Sequence, residues 1–165
     1  MVRVRPCLDV AGQRIGPGCI MSPRQNVRRK PKATRLDSDE ISEHITATDG
    51  NQDGAVALEE ADQTDMVTVW IAITDATVEN GCLQVQPQVK DQDIFPHCAR
   101  TQTGIADGFV NEAGAIPLPV KAGGAVLFHP LTPHASLSNV TDGFRWSFDI
   151  RFNATGQPTR RRPFR

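Results

Sequence analysis

The nine residues Phe144-Arg-Trp-Ser-Phe-Asp-Ile-Arg-Phe152 decide the fold, because they alternate apolar and polar side chains without a break. Phe144, Trp146, Phe148, Ile150 and Phe152 share one face, while Arg145, Ser147, Asp149 and Arg151 share the other, which is the period of two that a β-strand imposes. Working back along the chain, Met-Val-Thr-Val-Trp-Ile-Ala-Ile-Thr from Met66 is rich in β-branched and aromatic residues at strand length. A turn-rich break covers Asp75 to Gly81, and Cys82–Val85 predicts a second strand. Ile116–Val120, with its alternating prolines, predicts an edge strand. Ala122-Gly-Gly124 predicts a turn, Ala125–Phe128 a short buried strand and Ala135–Leu137 one more. Short strands, frequent Gly and Pro turns and little helical periodicity point to an all-β sandwich or barrel, and among these to a jelly roll.

Composition agrees with one such domain. The chain has 165 residues, 39% hydrophobic and 22% charged, too few for a 250-residue barrel or a two-domain enzyme. No apolar stretch approaches the ~20 residues of a membrane span, and no apolar region follows Arg3 and Arg5 as a secretory signal would require. A cytoplasmic protein is the expectation, and Cys7, Cys19, Cys82 and Cys98 lack disulfide or zinc spacing. The net charge of −1 hides blocks: residues 1–35 hold nine basic residues against Asp9, residues 36–65 hold ten acids and neither lysine nor arginine, and 158–165 form a basic tail. The basic stretches lack interleaved aromatics, so no nucleic-acid partner is expected. Residues 1–48 show no clean period and predict an irregular, partly disordered segment in which Cys19–Met21 is the one strand candidate; residues 49–157 form the jelly-roll domain.

Three elements in this order could carry chemistry: Asn51-Gln-Asp-Gly54 before the first strong strand, His129-Pro-Leu-Thr-Pro-His134 after Ala125–Phe128, and Arg145 on the last strand. A non-haem Fe(II) oxygenase uses two imidazoles and one carboxylate, leaving positions for a chelating 2-oxo acid and dioxygen. The far carboxylate of 2-oxoglutarate needs a planar, permanently charged, bidentate partner, and Arg145 is suitably spaced from His134. Each residue also has a plainer reading. Asp53 suits a turn, His134 a loop, and Arg145 a strand surface; Asp149 and Arg151, on the face of Arg145, suit a cross-strand ion-pair network that competes for the clamp role. Asp49 to Glu60 further fits an EF-hand calcium loop, although no good entering helix precedes it.

Thr68-Val-Trp-Ile-Ala-Ile-Thr-Asp-Ala-Thr-Val-Glu-Asn-Gly-Cys-Leu-Gln-Val85, Pro117-Leu-Pro-Val-Lys-Ala-Gly-Gly-Ala-Val-Leu-Phe-His129, His134-Ala-Ser136 and Arg145 to Asn153 together resemble the phytanoyl-CoA dioxygenase family. The resemblance runs from Asn51 to about Gln157. It implies a double-stranded β-helix (jelly roll, cupin-like), Fe(II), 2-oxoglutarate as cosubstrate, O2, and hydroxylation of a small or lipid-like organic substrate with release of succinate and CO2. By position, Asp53 resembles the metal carboxylate, His134 the distal metal histidine and Arg145 the arginine that grips 2-oxoglutarate, assisted by Ser136. Gln52 and Trp70 resemble residues lining the cosubstrate pocket, and Asn80-Gly81-Cys82 the turn framing the mouth. His129 is expected to sit behind the site or pair with backbone.

This chain departs from the family at two places near the site. Asn51-Gln52-Asp53 stands where the family has His-x-Asp, so Asn51 is a weak or lost ligand, and His44 lies too far upstream to replace it. After Val85 the family continues Pro-Gly-Ser-His, whereas this chain reads Gln86-Pro-Gln-Val-Lys90. With its short N-terminal region, the alternative expectation is a truncated or catalytically silent jelly-roll paralogue.

Overall fold

β10 runs from Arg145 to Ala154 and organises the molecule, as its alternation predicts. A computed structural model describes residues 4–22, 25–33, 50–56, 65–87, 93–99, 103–106 and 108–157. The chain begins with helix α1 (Val4–Ile15), then β1 (Cys19–Met21) and β2 (Asn26–Lys30). A helical turn, α2 (Asp53–Val56), precedes β3 (Met66–Ala72) and β4 (Leu83–Val85). After these come β5 (His97–Ala99), β6 (Thr103–Ile105), β7 (Ile116–Leu118), β8 (Ala125–Phe128), β9 (His134–Ser136) and β10.

The strands form a jelly roll. One antiparallel sheet has the order β1-β10-β3-β8, with β2 also paired to β10; a second has the order β7-β4-β9; β5 and β6 make a hairpin. β3 is buried along its whole length because it is covered on both faces. Val67, Val69 and Ile71 join Ile150, Phe152 and Ala11 of α1 in one core layer. Trp70 and Ala72 join Cys82, Leu83 and Phe128 in the other, between the sheets. Burying Ile150 and Phe152 completely is worth about 1.5–3 kcal/mol each.

Two expectations need correction. Residues 4–15 are helical and β2 joins β1 as a second N-terminal strand, two elements that the sequence reading does not place within residues 1–48. Cys7, Leu8, Ala11 and Ile15 supply the helical stripe against the core, Pro6 sits in the first turn, where its missing N–H costs nothing, and Gly16 at φ 95° ends the helix. β8, expected to be buried, is the outer strand of its sheet: Ala125 is exposed and Phe128 is the buried end.

Candidate active site

β10 turns its polar face inward. Arg145, Ser147, Asp149, Arg151 and Asn153 are all buried, while Phe144 and Trp146 are partly exposed. Register carries that face across the sheet: Ser147 lies opposite Ala72, Asp149 opposite Trp70 and Arg151 opposite Thr68, while on the other side Arg145 lies opposite Lys30 and Ser147 opposite Arg28. A row of charges buried inside a barrel is costly unless each is paired, and most are. Arg151 Nη2 donates to Asp53 Oδ1 at 2.5 Å. Arg28 Nε donates to Asp149 Oδ2. Thr68 Oγ donates to Asp53 Oδ2.

Arg145 is different. It is 2% exposed, and its guanidinium donates to neutral acceptors: Nε to Gly81 O at 3.1 Å, Nη1 to Ser147 Oγ at 2.6 Å and Nη2 to Ser136 Oγ at 3.4 Å. It also lies 5.4 Å from the centre of the Trp70 ring. No carboxylate among the described residues forms an ion pair with it. Asp149 and Arg151, the rivals for the clamp role, are committed elsewhere.

Asp53 opens α2 and reaches the pocket from below Thr68. Burial alone would raise its pKa, but Arg151 and His134 beside it, with hydrogen bonds from Arg151 and Thr68, hold the carboxylate ionised at about 2. His134 donates its Nδ1–H to Thr132 O at 3.0 Å, which leaves the Nε2 lone pair available, and its ring packs 4.5 Å from that of Phe128. Asn51 is bridged to His134 by two backbone hydrogen bonds of 2.9 Å.

Asn51, Asp53, Trp70, His134 and Ser136 therefore line one pocket, together with Arg28 and Asp149. Its free space is about 20 Å³, the size of one water, and Arg28 of β2 is part of its lining. Asp149 Oδ1 in its wall, and the buried Nε of the Arg151 that pairs with Asp53, have no protein hydrogen-bond partner among the described residues. Ionised Asp53 and the open Nε2 of His134 suit a divalent cation; the amide of Asn51 is a poor third donor. Among the described residues no three His, Cys, Asp or Glu side chains converge on one point. The residues fit iron with two strong protein donors, not three.

Gln52 is not with this group. It is completely buried, but its amide donates to Leu131 O at 2.7 Å and Asp93 O at 3.2 Å and accepts from Phe95 N at 2.7 Å, tying two loops together. His129 Nδ1 accepts from Leu131 N at 3.2 Å, the backbone pairing expected of it. The Asn80-Gly81-Cys82 turn borders the site through Gly81 O. His44, Asp49 and residues 57–60 lie outside the described residues, so the substitute-ligand reading of His44 and the calcium-loop reading of Asp49 to Glu60 fall largely outside them. Lys30 and Arg28 were absent from the sequence-derived set. The signal was the parity of Asn26-Val-Arg-Arg-Lys30, which puts residues 26, 28 and 30 on one face.

The sequence profile of the phytanoyl-CoA dioxygenase (PhyH) family matches residues 31–147. Phytanoyl-CoA dioxygenase domain-containing protein 1 of Danio rerio is 38% identical over 85 residues, covering 47% of this chain and 29% of that protein. The peroxisomal phytanoyl-CoA dioxygenase of Homo sapiens is 33% identical over 95 residues, covering 53% of this chain and 28% of that protein. The matched region thus spans less than a third of either relative. Among solved structures, EvdO2 from Micromonospora carbonacea var. aurantiaca complexed with 2-oxoglutarate superposes with a TM-score of 0.75 at 22% identity, covering 92% of this chain and 59% of that one. The epimerase SnoN in complex with Fe3+, alpha ketoglutarate and nogalamycin RO gives 0.69 at 20% identity, covering 93% and 58%. At these identities the structural likeness establishes the jelly-roll fold.

Proposed function

Because the chain belongs to the phytanoyl-CoA dioxygenase family, we propose that it is a non-haem Fe(II)/2-oxoglutarate-dependent dioxygenase that hydroxylates a small or lipid-like organic substrate. The balance is R–H + O2 + 2-oxoglutarate giving R–OH + succinate + CO2. Asp53 and His134 would hold the iron, with Asn51 in the place of the third protein ligand. When bound, iron would supply the activation of O2 that couples oxidative decarboxylation of 2-oxoglutarate to hydroxylation.

The protein's own part is binding and orientation. Arg145 takes the far carboxylate of 2-oxoglutarate, Ser136 and Gly81 O hold the guanidinium in place, and Trp70 closes its flank. Thr132 O fixes the tautomer of His134, while Thr68 and Arg151 keep Asp53 ionised and oriented. The observation that carries this reading is the gathering of Asp53, His134, Ser136 and Trp70 on one pocket backed by an arginine without a carboxylate. The reduced thiols of Cys7, Cys19 and Cys82 accord with a cytoplasmic setting. Anaerobic titration with Fe(II) and 2-oxoglutarate tests the proposal: a weak visible charge-transfer band, followed by succinate release on admitting O2, is expected. Folded protein that shows neither rejects it.

A second reading, a catalytically silent paralogue, is favoured by one specific feature: both oxygens of Asp53 already accept hydrogen bonds, and the residue bridged to His134 is an asparagine.

A further inference from the structure

α1 packs chiefly on β1, β10 and β3, one strand short of the sheet's outer strand β8. The step between helix and edge strand opens a groove on the outer face of the sheet, away from the barrel interior. Leu127 of β8 lies opposite Val69 and packs with Val67 on the outer core layer, and these two side chains form the floor. Val10 and Ile15 of α1 close the other side. The cavity holds about 350 Å³, the scale of a small-molecule site, against about 20 Å³ in the candidate active site.

Three polar residues line the same cavity: Arg14 of α1, Asp65 just before β3 and His129 just after β8. His129 Nδ1 accepts the Leu131 N–H at 3.2 Å, so the ring proton sits on Nε2 as a free donor. Partial burial and then the charge of Arg14 lower the pKa of this ring, while Asp65 acts in the opposite sense, so the imidazole is neutral and both charges lie within electrostatic reach of it. Asp65 is held by an amide: its backbone N–H donates to Gln157 Oε1 at 2.5 Å and its Oδ2 accepts from Gln157 Nε2 at 2.8 Å. That fixes the carboxylate without neutralising it. Arg14 forms no ion pair or hydrogen bond among the described residues. The groove therefore offers one unpaired cation, one N–H donor and one anion above an apolar floor.

We infer that the groove between α1 and β8 is a binding site, separate from the candidate active site, for an apolar α-amino acid: the carboxylate on Arg14 and His129 Nε2–H, the ammonium on Asp65, and the side chain on Val10, Ile15, Val67 and Leu127. The sign pattern selects this class. A fatty acid of the same bulk would bring its carboxylate against Asp65, and an amine would bring its ammonium against Arg14, each leaving one charge of the groove desolvated and unmatched. A head that carries both signs on neighbouring atoms satisfies both. None of these residues takes part in the chemistry proposed above, so the site stands or falls independently of it.

Calorimetric titration of the full chain with L-phenylalanine, 3-phenylpropanoate, which lacks the ammonium, and 2-phenylethylamine, which lacks the carboxylate, tests the inference. Phenylalanine is expected to bind at least about tenfold more tightly than either analogue, the scale of one charge-assisted hydrogen bond. Arg14→Gln should bring phenylalanine down to the level of 2-phenylethylamine, and Asp65→Asn to that of 3-phenylpropanoate. Val10 is 43% exposed, so Val10→Glu should fold, as native circular dichroism would verify, and by placing a charge against the apolar body it should weaken phenylalanine about tenfold or more. No binding of phenylalanine by folded protein, equal binding of all three compounds, or unchanged affinity in folded Val10→Glu overturns the site. Displacement of phenylalanine by 2-oxoglutarate with Mn(II) also overturns it, because the ligand would then lie inside the barrel.

Discussion

Asn51 and His134 face each other across an isolated antiparallel bridge, each accepting the other's backbone N–H at 2.9 Å. On the function proposed above, the residue standing where the family has a histidine ligand is thus fixed beside the proposed ligand His134. Only its side chain is unsuited to iron. Asn51→His is therefore expected to tighten Mn(II) or anaerobic Fe(II) binding by about tenfold or more and to raise succinate release. Unchanged metal affinity in a folded variant would mean that the bridge does not aim residue 51 at the pocket.

Asp53 and Arg151 are a buried ion pair, and removing one partner strands the other. Asp53→Asn or Arg151→Met alone should cost about 3–5 kcal/mol in urea unfolding, and the double variant should recover a large part of the sum. The carboxylate sits at about 2 against an ordinary 3.8, so its contribution to stability is complete above the ordinary value and is lost as pH falls toward 2. Acid unfolding of Asp53→Asn should accordingly be less steep than that of the wild type between pH 4 and 2.

Gly81 has φ 88°, and a β-carbon there would meet Leu137 O at 2.5 Å and Lys30 Cδ at 2.8 Å. Gly81→Ala should destabilise the fold by more than the ~1 kcal/mol of the conformational term alone. Because Gly81 O also receives Arg145 Nε, carboxylate affinity should fall in the same variant. A fully stable variant with normal affinity would show that the turn yields freely.

Lys30 is lowered from 10.5 to about 7 by burial and by Arg145 and Arg28. The unfolded chain holds that proton up to the ordinary value, so the folded state is penalised below pH 7 and the penalty fades as pH rises toward 10.5. Urea midpoints should climb between pH 7 and 9.5 in the wild type, with a visibly smaller climb in Lys30→Met. Identical slopes would contradict the lowering of Lys30 by burial.

Legibility in the sequence followed the strength of the period. The strict alternation of β10 and the β-branched run of β3 revealed both strands and even the polar side that carries Arg145, but alternation alone does not say which face is inside. Here both faces are covered, and the polar one is buried because β2 and β3 bring Arg28, Thr68 and Trp70 beside it in pairings that join residues more than 70 positions apart. α1 was obscured by Pro6, Gly12 and several β-branched residues of low helix propensity, although Gly16 and the spacing of Leu8, Ala11 and Ile15 were present. Gln52 was misassigned for a different reason: its neighbours Asn51 and Asp53 turn toward the pocket, and only the loops at residues 93–95 and 131 reveal that the residue between them points the other way.

β10 carries Ile150 and Phe152 into the core on one side and buries Arg145, Asp149 and Arg151 on the other. A ligand gripped by the charged side therefore holds the same strand whose withdrawal would dismantle the core. At a hundredfold excess over its Kd a ligand adds about 2.7 kcal/mol to the folded state, and for a domain of this size each kcal/mol moves the melting temperature by roughly 2–4 °C. Heating the protein with a panel of carboxylic acids would thus rank them by a rise of several degrees, a route to the natural ligand that requires neither a known substrate nor a working reaction.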